Sequence, residues 1–164
     1  MIVSIQKILF PTDFSAPATE AQHYAQALAE RMGAELHLLH VVVPPTIPFP
    51  DSTTSWTMPD TGLKDLVQQA EQRIAKEVAT WPEECRVVTS VTTGFAVDEI
   101  VSYAKANDID LIVAGTHGLT GLSHLLLGSV AEKLVRIASC PVLTVRPGGH
   151  QFVVDSTAAT ASVK

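Results

Sequence analysis

Gly115-Thr116-His117-Gly118 is followed, after nine intervening residues, by Gly128-Ser129. The first of these stretches follows an apolar run, Leu111-Ile112-Val113-Ala114, and the second leads into a helical pattern that opens near Val130. Strand, glycine-rich loop and helix N-terminus in that order suit a phosphate. Glycine lets the backbone approach closely, and the first-turn N–H groups of a helix have no partner within it. The same residues also read as a loop whose glycines serve turns ahead of a capped helix. In that reading Ser129 is the N-cap, and Ser129-Val130-Ala131-Glu132 is a capping box. The two roles are compatible, because a hydroxyl can accept from a helix amide and donate to a phosphate oxygen.

Asp13 is the second residue of interest. It lies in Pro11-Thr12-Asp13-Phe14-Ser15, directly after the apolar run Ile8-Leu9-Phe10. A carboxylate there can accept from ribose hydroxyls or from an adenine amino group, or it can close a local Asx turn. His117 could donate to a phosphate or simply be solvated. His37 and His40 are three apart on a strand pattern, so they face opposite ways. His117 and His124 have no Cys or carboxylate partner at ligand spacing, and no metal site is expected. Cys140 precedes Pro141 and an apolar strand, which reads as a buried, inert thiol.

The elements that position these residues alternate. Ala18, Ala21, Ala25, Leu28 and Met32 mark one helix face, with Ser15 as N-cap, Pro17 in the first turn and Gly33 at the end. Leu36 to Val43 reads as a strand covered on both faces. Pro44 to Asp60 carries five prolines and reads as one long loop. A second helix then runs from a cap at Asp60 or Thr61 through Leu63, Leu66, Val67, Ala70, Ile74 and Val78. Arg86–Thr92 is the third strand, and Val97, Ile100, Val101 and Ala104 mark the third helix. Asp110–Ala114 is the fourth strand. Val130, Leu134, Ile137 and Ala138 give the last helix, and Val142–Val145 the fifth strand. Trp56 and Trp81 fall at loop or helix ends. Such alternation implies a mostly parallel sheet, whose ligands sit beyond the strand carboxyl ends where the strand order reverses.

Composition bounds the rest. The chain has 164 residues, 46% hydrophobic and 17% charged, with 11 Lys and Arg against 17 Asp and Glu. One globular α/β domain is expected, and the acidic balance argues against nucleic acid. No apolar run reaches membrane-spanning length, the N-terminus lacks a signal-peptide pattern, and two cysteines fit reduced thiols, so a cytoplasmic protein without membrane contact is expected. The absence of G-x-x-x-x-G-K-[ST], and of G-x-G-x-x-G after the first strand, sets aside P-loop NTPases and Rossmann dehydrogenases.

From Lys7 to Arg146 the chain resembles the universal stress protein family. The resemblance is carried by Lys7–Ser15, Leu39-His40-Val41, Gly94 with Ile100, Gly115-x2-Gly118-x9-Gly128-Ser129, and Cys140-Pro141-Val142. The glycine pattern is that of the family's ATP-binding branch. The resemblance implies a single three-layer domain over residues 1–147, with a five-stranded parallel sheet of order 3-2-1-4-5 and helices on both faces. It implies ATP at the switch between strands one and four, with Mg or Mn held through the phosphates. Pro11, Thr12 and Asp13 would lie near the adenosine, and Val41 near adenine. Ala114, Gly115, His117 and Gly118 would line the phosphate loop, and Gly128, Ser129 and Val130 would contact phosphates and ribose. It further implies a homodimer through Val142–Val145. Two features depart from the pattern: Ala96 replaces a usual proline, and residues 148–164 extend past the usual end as a mobile or partner-covering tail. A non-catalytic stress-response switch is the first functional reading. A slow ATPase is the second, although neither a general base nor an arginine finger is identifiable. A partner-binding protein holding an AMP-like ligand, or none, is the third.

Overall fold

The structure, a computed structural model, describes residues 4–48, 55–57, 60–82, 85–116 and 128–148. Its sheet is built from β1 (Lys7–Pro11), β2 (Glu35–Val42), β5 (Val87–Thr93), β6 (Leu111–Gly115) and β7 (Val142–Val145). The order is β5-β2-β1-β6-β7 with every pair parallel, which is 3-2-1-4-5 when only these strands are counted. The strand order therefore reverses between β1 and β6.

Among the described residues, four helices cover the two faces: α1 (Ala16–Met32), α2 (Asp60–Val78), α3 (Ala96–Ala106) and α4 (Ser129–Ile137). Strand side chains alternate between faces. Ile8, Phe10, Leu36, Leu38 and Val113 pack against α1 and α2, while Leu9, Leu39, Ile112 and Ala114 pack against α3 and α4. The stripe that α1 buries is mostly alanine: Ala18, Ala21, Ala25 and Ala29, with Tyr24 and Gln22. Small side chains let this helix lie close to the sheet. The ends of α1 are those its sequence signals: Ser15 Oγ accepts from the Ala18 N–H, and Gly33 closes the helix at φ 65° in the left-handed region.

Several local expectations are corrected. The Pro44–Asp60 stretch is not one loop throughout, because β3 (Thr46–Pro48) and β4 (Ser55–Thr57) pair antiparallel within it. Asp60 and Thr61 belong to α2 rather than preceding it. Trp81, just past α2, is buried in the core, and its indole N–H reaches the buried Gln22 when that amide is oriented to satisfy both neighbours: 2.8 Å from Trp81 and 2.6 Å to Glu77. On α4 the buried residues are Ala131 and Leu134, while Val130 and Ile137 are exposed. A nine-residue helix lying on the edge of a sheet needs only a narrow apolar seam. Among the described residues, no helix is long and apolar enough to cross a membrane. Of the tail, residues 149–164 lie outside the described residues.

Candidate functional site

The loops after β1 and β6 leave adjacent parallel strands at their carboxyl ends. The first begins at Pro11, which has no N–H and pairs opposite Leu39. Thr12 is buried, and its N–H donates to the Leu39 carbonyl at 2.9 Å. Its hydroxyl accepts from the Phe14 N–H at 3.0 Å. Asp13 Oδ1 accepts from the Ser15 N–H at 3.0 Å, which is the Asx turn. That bond orients the carboxylate and takes one of the roughly four acceptor sites that its two oxygens offer. Phe14 is held at φ 60°, uncommon for a residue with a Cβ.

The second loop begins at Gly115, half-buried and opposite Val145, beyond the buried Ala114. Thr116 donates its N–H to the Val145 carbonyl at 2.9 Å and accepts from the Gly128 N–H. His117 and Gly118 lie outside the described residues. At the far end of the segment Gly128, not Ser129, is the N-cap of α4, with φ −69° and ψ 153°. Ser129 is the first helical residue. It is not the cap of a capping box, and Glu132 is turned instead to Arg136 at 2.9 Å. Gly128 makes no side-chain cap bond, as glycine must. Ser129 and Val130 are exposed. Val41 lies one strand away from β1, on β2, half-buried and opposite Thr92 of β5.

Two residues near the first loop escaped the sequence reading. His40 donates from Nδ1 to the Thr12 carbonyl at 2.8 Å, and its ring packs on Phe14 at 4.6 Å between centroids. Arg73 of α2 lies over the Phe14 ring at 4.2 Å and donates to the Phe14 carbonyl at 3.3 Å. A polar residue near the carboxyl end of an apolar strand was a signal for His40. Arg73 offered none, being one charge on a polar helix face.

Remote from this crevice, His37 is buried on the other face of β2. Nε2 donates to Glu35 at 3.0 Å, and Nδ1 meets the Tyr103 hydroxyl at 2.9 Å. Burial lowers the His37 pKa below its ordinary 6.5, outweighing Glu35, which raises it. Burial chiefly, and then Glu35, raise Tyr103. Cys85 and Cys140 are free and half-buried, and burial raises both thiols, which disfavours the reactive thiolate. Cys140 is thus less enclosed than its sequence context suggests. Among the described residues, no group of three or more His, Cys, Asp and Glu could hold a metal ion.

The pattern characteristic of the universal stress protein family matches residues 4–146. The universal stress protein MJ0531 of Methanocaldococcus jannaschii is 38% identical over 142 residues, which is 86% of this chain and 82% of that protein. Among solved structures, the universal stress protein UspA from Lactobacillus plantarum superposes with a TM-score of 0.70 at 28% identity, over 88% of this chain and 100% of that one. A universal stress protein in complex with cAMP shares the fold, with a TM-score of 0.55 at 24% identity over 87% of this chain and 98% of that one. By the matched family pattern and the identity to a relative along most of its length, this chain belongs to the universal stress protein family.

Proposed function

We propose that this chain is an adenine-nucleotide-binding module, with ATP as its principal ligand, seated across the carboxyl ends of β1 and β6. The observation that carries the reading is the glycine cap of α4 at the strand-order reversal. Gly128 has no side chain to satisfy the first-turn amides of Ser129, Val130 and Ala131. An anion there accepts from those amides and meets the positive end of the helix dipole. His117 and Gly118 complete the phosphate loop in this reading. Across the crevice, Pro11, Thr12 and Asp13 face the adenosine, with Asp13 accepting from ribose or adenine, and Val41 borders the base. A fold relative solved with cAMP supports an adenylate as the ligand class. Mg or Mn rides on the phosphates.

Occupancy then acts as a stress-response signal inside the cytoplasm. It is transmitted through a homodimer paired at Val142–Val145, because among the described residues β7 is the edge strand of its sheet and an edge strand is a template for pairing. The test is calorimetric titration of the purified full chain with MgATP, ADP, AMP and cAMP, together with identification of any nucleotide that copurifies. Saturable binding, tightest for ATP, is expected. No heat with any adenylate refutes the reading.

A further inference from the structure

The Thr12–Ser15 loop is held from outside by two side chains of other elements. His40 of β2 takes the Thr12 carbonyl and packs on the Phe14 ring. Arg73 of α2 takes the Phe14 carbonyl and lies over the same ring. Between those two carbonyls the backbone makes its unusual turn, with Phe14 at φ 60°. A residue with a Cβ keeps that conformation only when its surroundings over-determine it, and such positions cluster where ligands are held. Glycine would adopt it freely, so the loop uses a side-chain grip where a backbone preference would have served. The grip acts on both sides of Asp13, whose carboxylate is already turned toward the Ser15 amide.

We propose that Arg73 and His40 are positioning residues that hold the Thr12–Ser15 loop in its nucleotide-binding shape through their shared grip on Phe14. The inference rests on the nucleotide reading given above and extends it to two residues on other elements. A loop already in its bound shape gives up less conformational freedom when a ligand arrives. Loss of either grip residue therefore weakens binding without unfolding the domain. Arg73 is exposed, so its removal opens no cavity.

The test uses the full chain with Arg73→Met, which keeps an apolar stem but removes the guanidinium, and with His40→Phe, which keeps a ring but removes the donor. MgATP affinity is measured by calorimetry, stability by thermal melting, and loop order by hydrogen exchange at the Phe14 and Ser15 amides. Each variant is expected to bind about tenfold more weakly at an unchanged melting temperature, with faster exchange at those two amides. Arg73→Lys, still able to donate to the Phe14 carbonyl, recovers part of the loss. In a Phe14→Gly background Arg73→Met costs less than in the parent, because the ring contact is already gone and only the bond to the residue-14 carbonyl is left to lose. Variant affinities equal to the parent's, or unchanged exchange at Phe14 and Ser15, overturn the positioning role while the nucleotide reading stands. A parent chain that binds no adenylate overturns that reading, and the positioning role with it.

Discussion

The main-chain N–H of Gly128 donates to the carbonyl of Thr116, so the residues that bracket positions 117–127 meet in space. Thr116 is itself fixed, because its N–H donates to Val145 at the end of the β6–β7 ladder. The sheet therefore sets where α4 begins, and with it where the first-turn amides of that helix stand relative to β1.

Gly128→Val is the sharpest test of that arrangement. The cap has φ −69° and ψ 153°, which a β-branched residue adopts without strain. The domain should stay folded, at a cost of about 1 kcal/mol or less for a poorer cap. A branched side chain beside the first-turn amides should nevertheless cut ATP affinity by about a hundredfold or more, the backbone approach being blocked. Calorimetry on a variant with a native circular dichroism spectrum decides it; affinity like the parent's would return Gly128 to a purely structural role.

Ser129→Ala separates cap from ligand contact. Ser129 is exposed and is the first helical residue, so stability in urea should change by less than about 0.5 kcal/mol. A true N-cap serine would cost about 1 kcal/mol. ATP binding should weaken by about tenfold, the worth of one hydrogen bond to a charged group. A large loss of stability with full affinity would reverse both statements.

Gly94→Ala should destabilise the chain. Gly94 sits at φ 152°, and a Cβ there would lie 2.6 Å from Glu99 Oε1 and 2.9 Å from its Cγ. Glu99 cannot retreat freely, since Oε2 accepts from the Thr92 hydroxyl at 2.8 Å. A loss of about 1–3 kcal/mol is expected from strain at such a backbone position, read as a lower urea midpoint at unchanged slope.

Stability should fall on mild acidification because of His37. Burial lowers its folded pKa below the ordinary 6.5, so the unfolded chain takes up a proton that the folded chain resists. The contribution is full above the unfolded value and is lost as the pH drops through and below it. The melting temperature should decline between pH 7 and about pH 5, and His37→Gln should flatten the slope over that window. An identical slope in the variant would remove His37 as the cause.

The fold was largely legible because its signals are local. Ser15 and Gly33 mark the ends of α1, Val142–Val145 is β7 as expected, and the alternation of apolar runs with helical periods predicts the parallel sheet. The candidate site was legible as two loops. Its inner bonding was legible only in part: the Asx turn at Asp13 was one of the two sequence readings, but the grip of Arg73 and His40 on Phe14 and its loop joins residues up to 59 positions apart. Helical periodicity carries no record of such partners. The hairpin of β3 and β4 was hidden for a related reason, since three-residue strands in a proline-rich stretch are too short to show alternation.

By itself, the sequence determined where the five strands of the parallel sheet lie, that helices alternate with them, and that glycines cluster after the fourth of those strands. Those properties follow from backbone preference and from the 2.0 and 3.6 periods of burial, which neighbours in the chain reveal. Tertiary structure alone decided that Gly128 rather than Ser129 caps α4, that Trp81 reaches Gln22, and that His37 meets Tyr103 66 residues away. Gly and Ser are both acceptable caps. The choice between them fell to the β6–β7 ladder, which fixes Thr116 and through it the point where the helix must start.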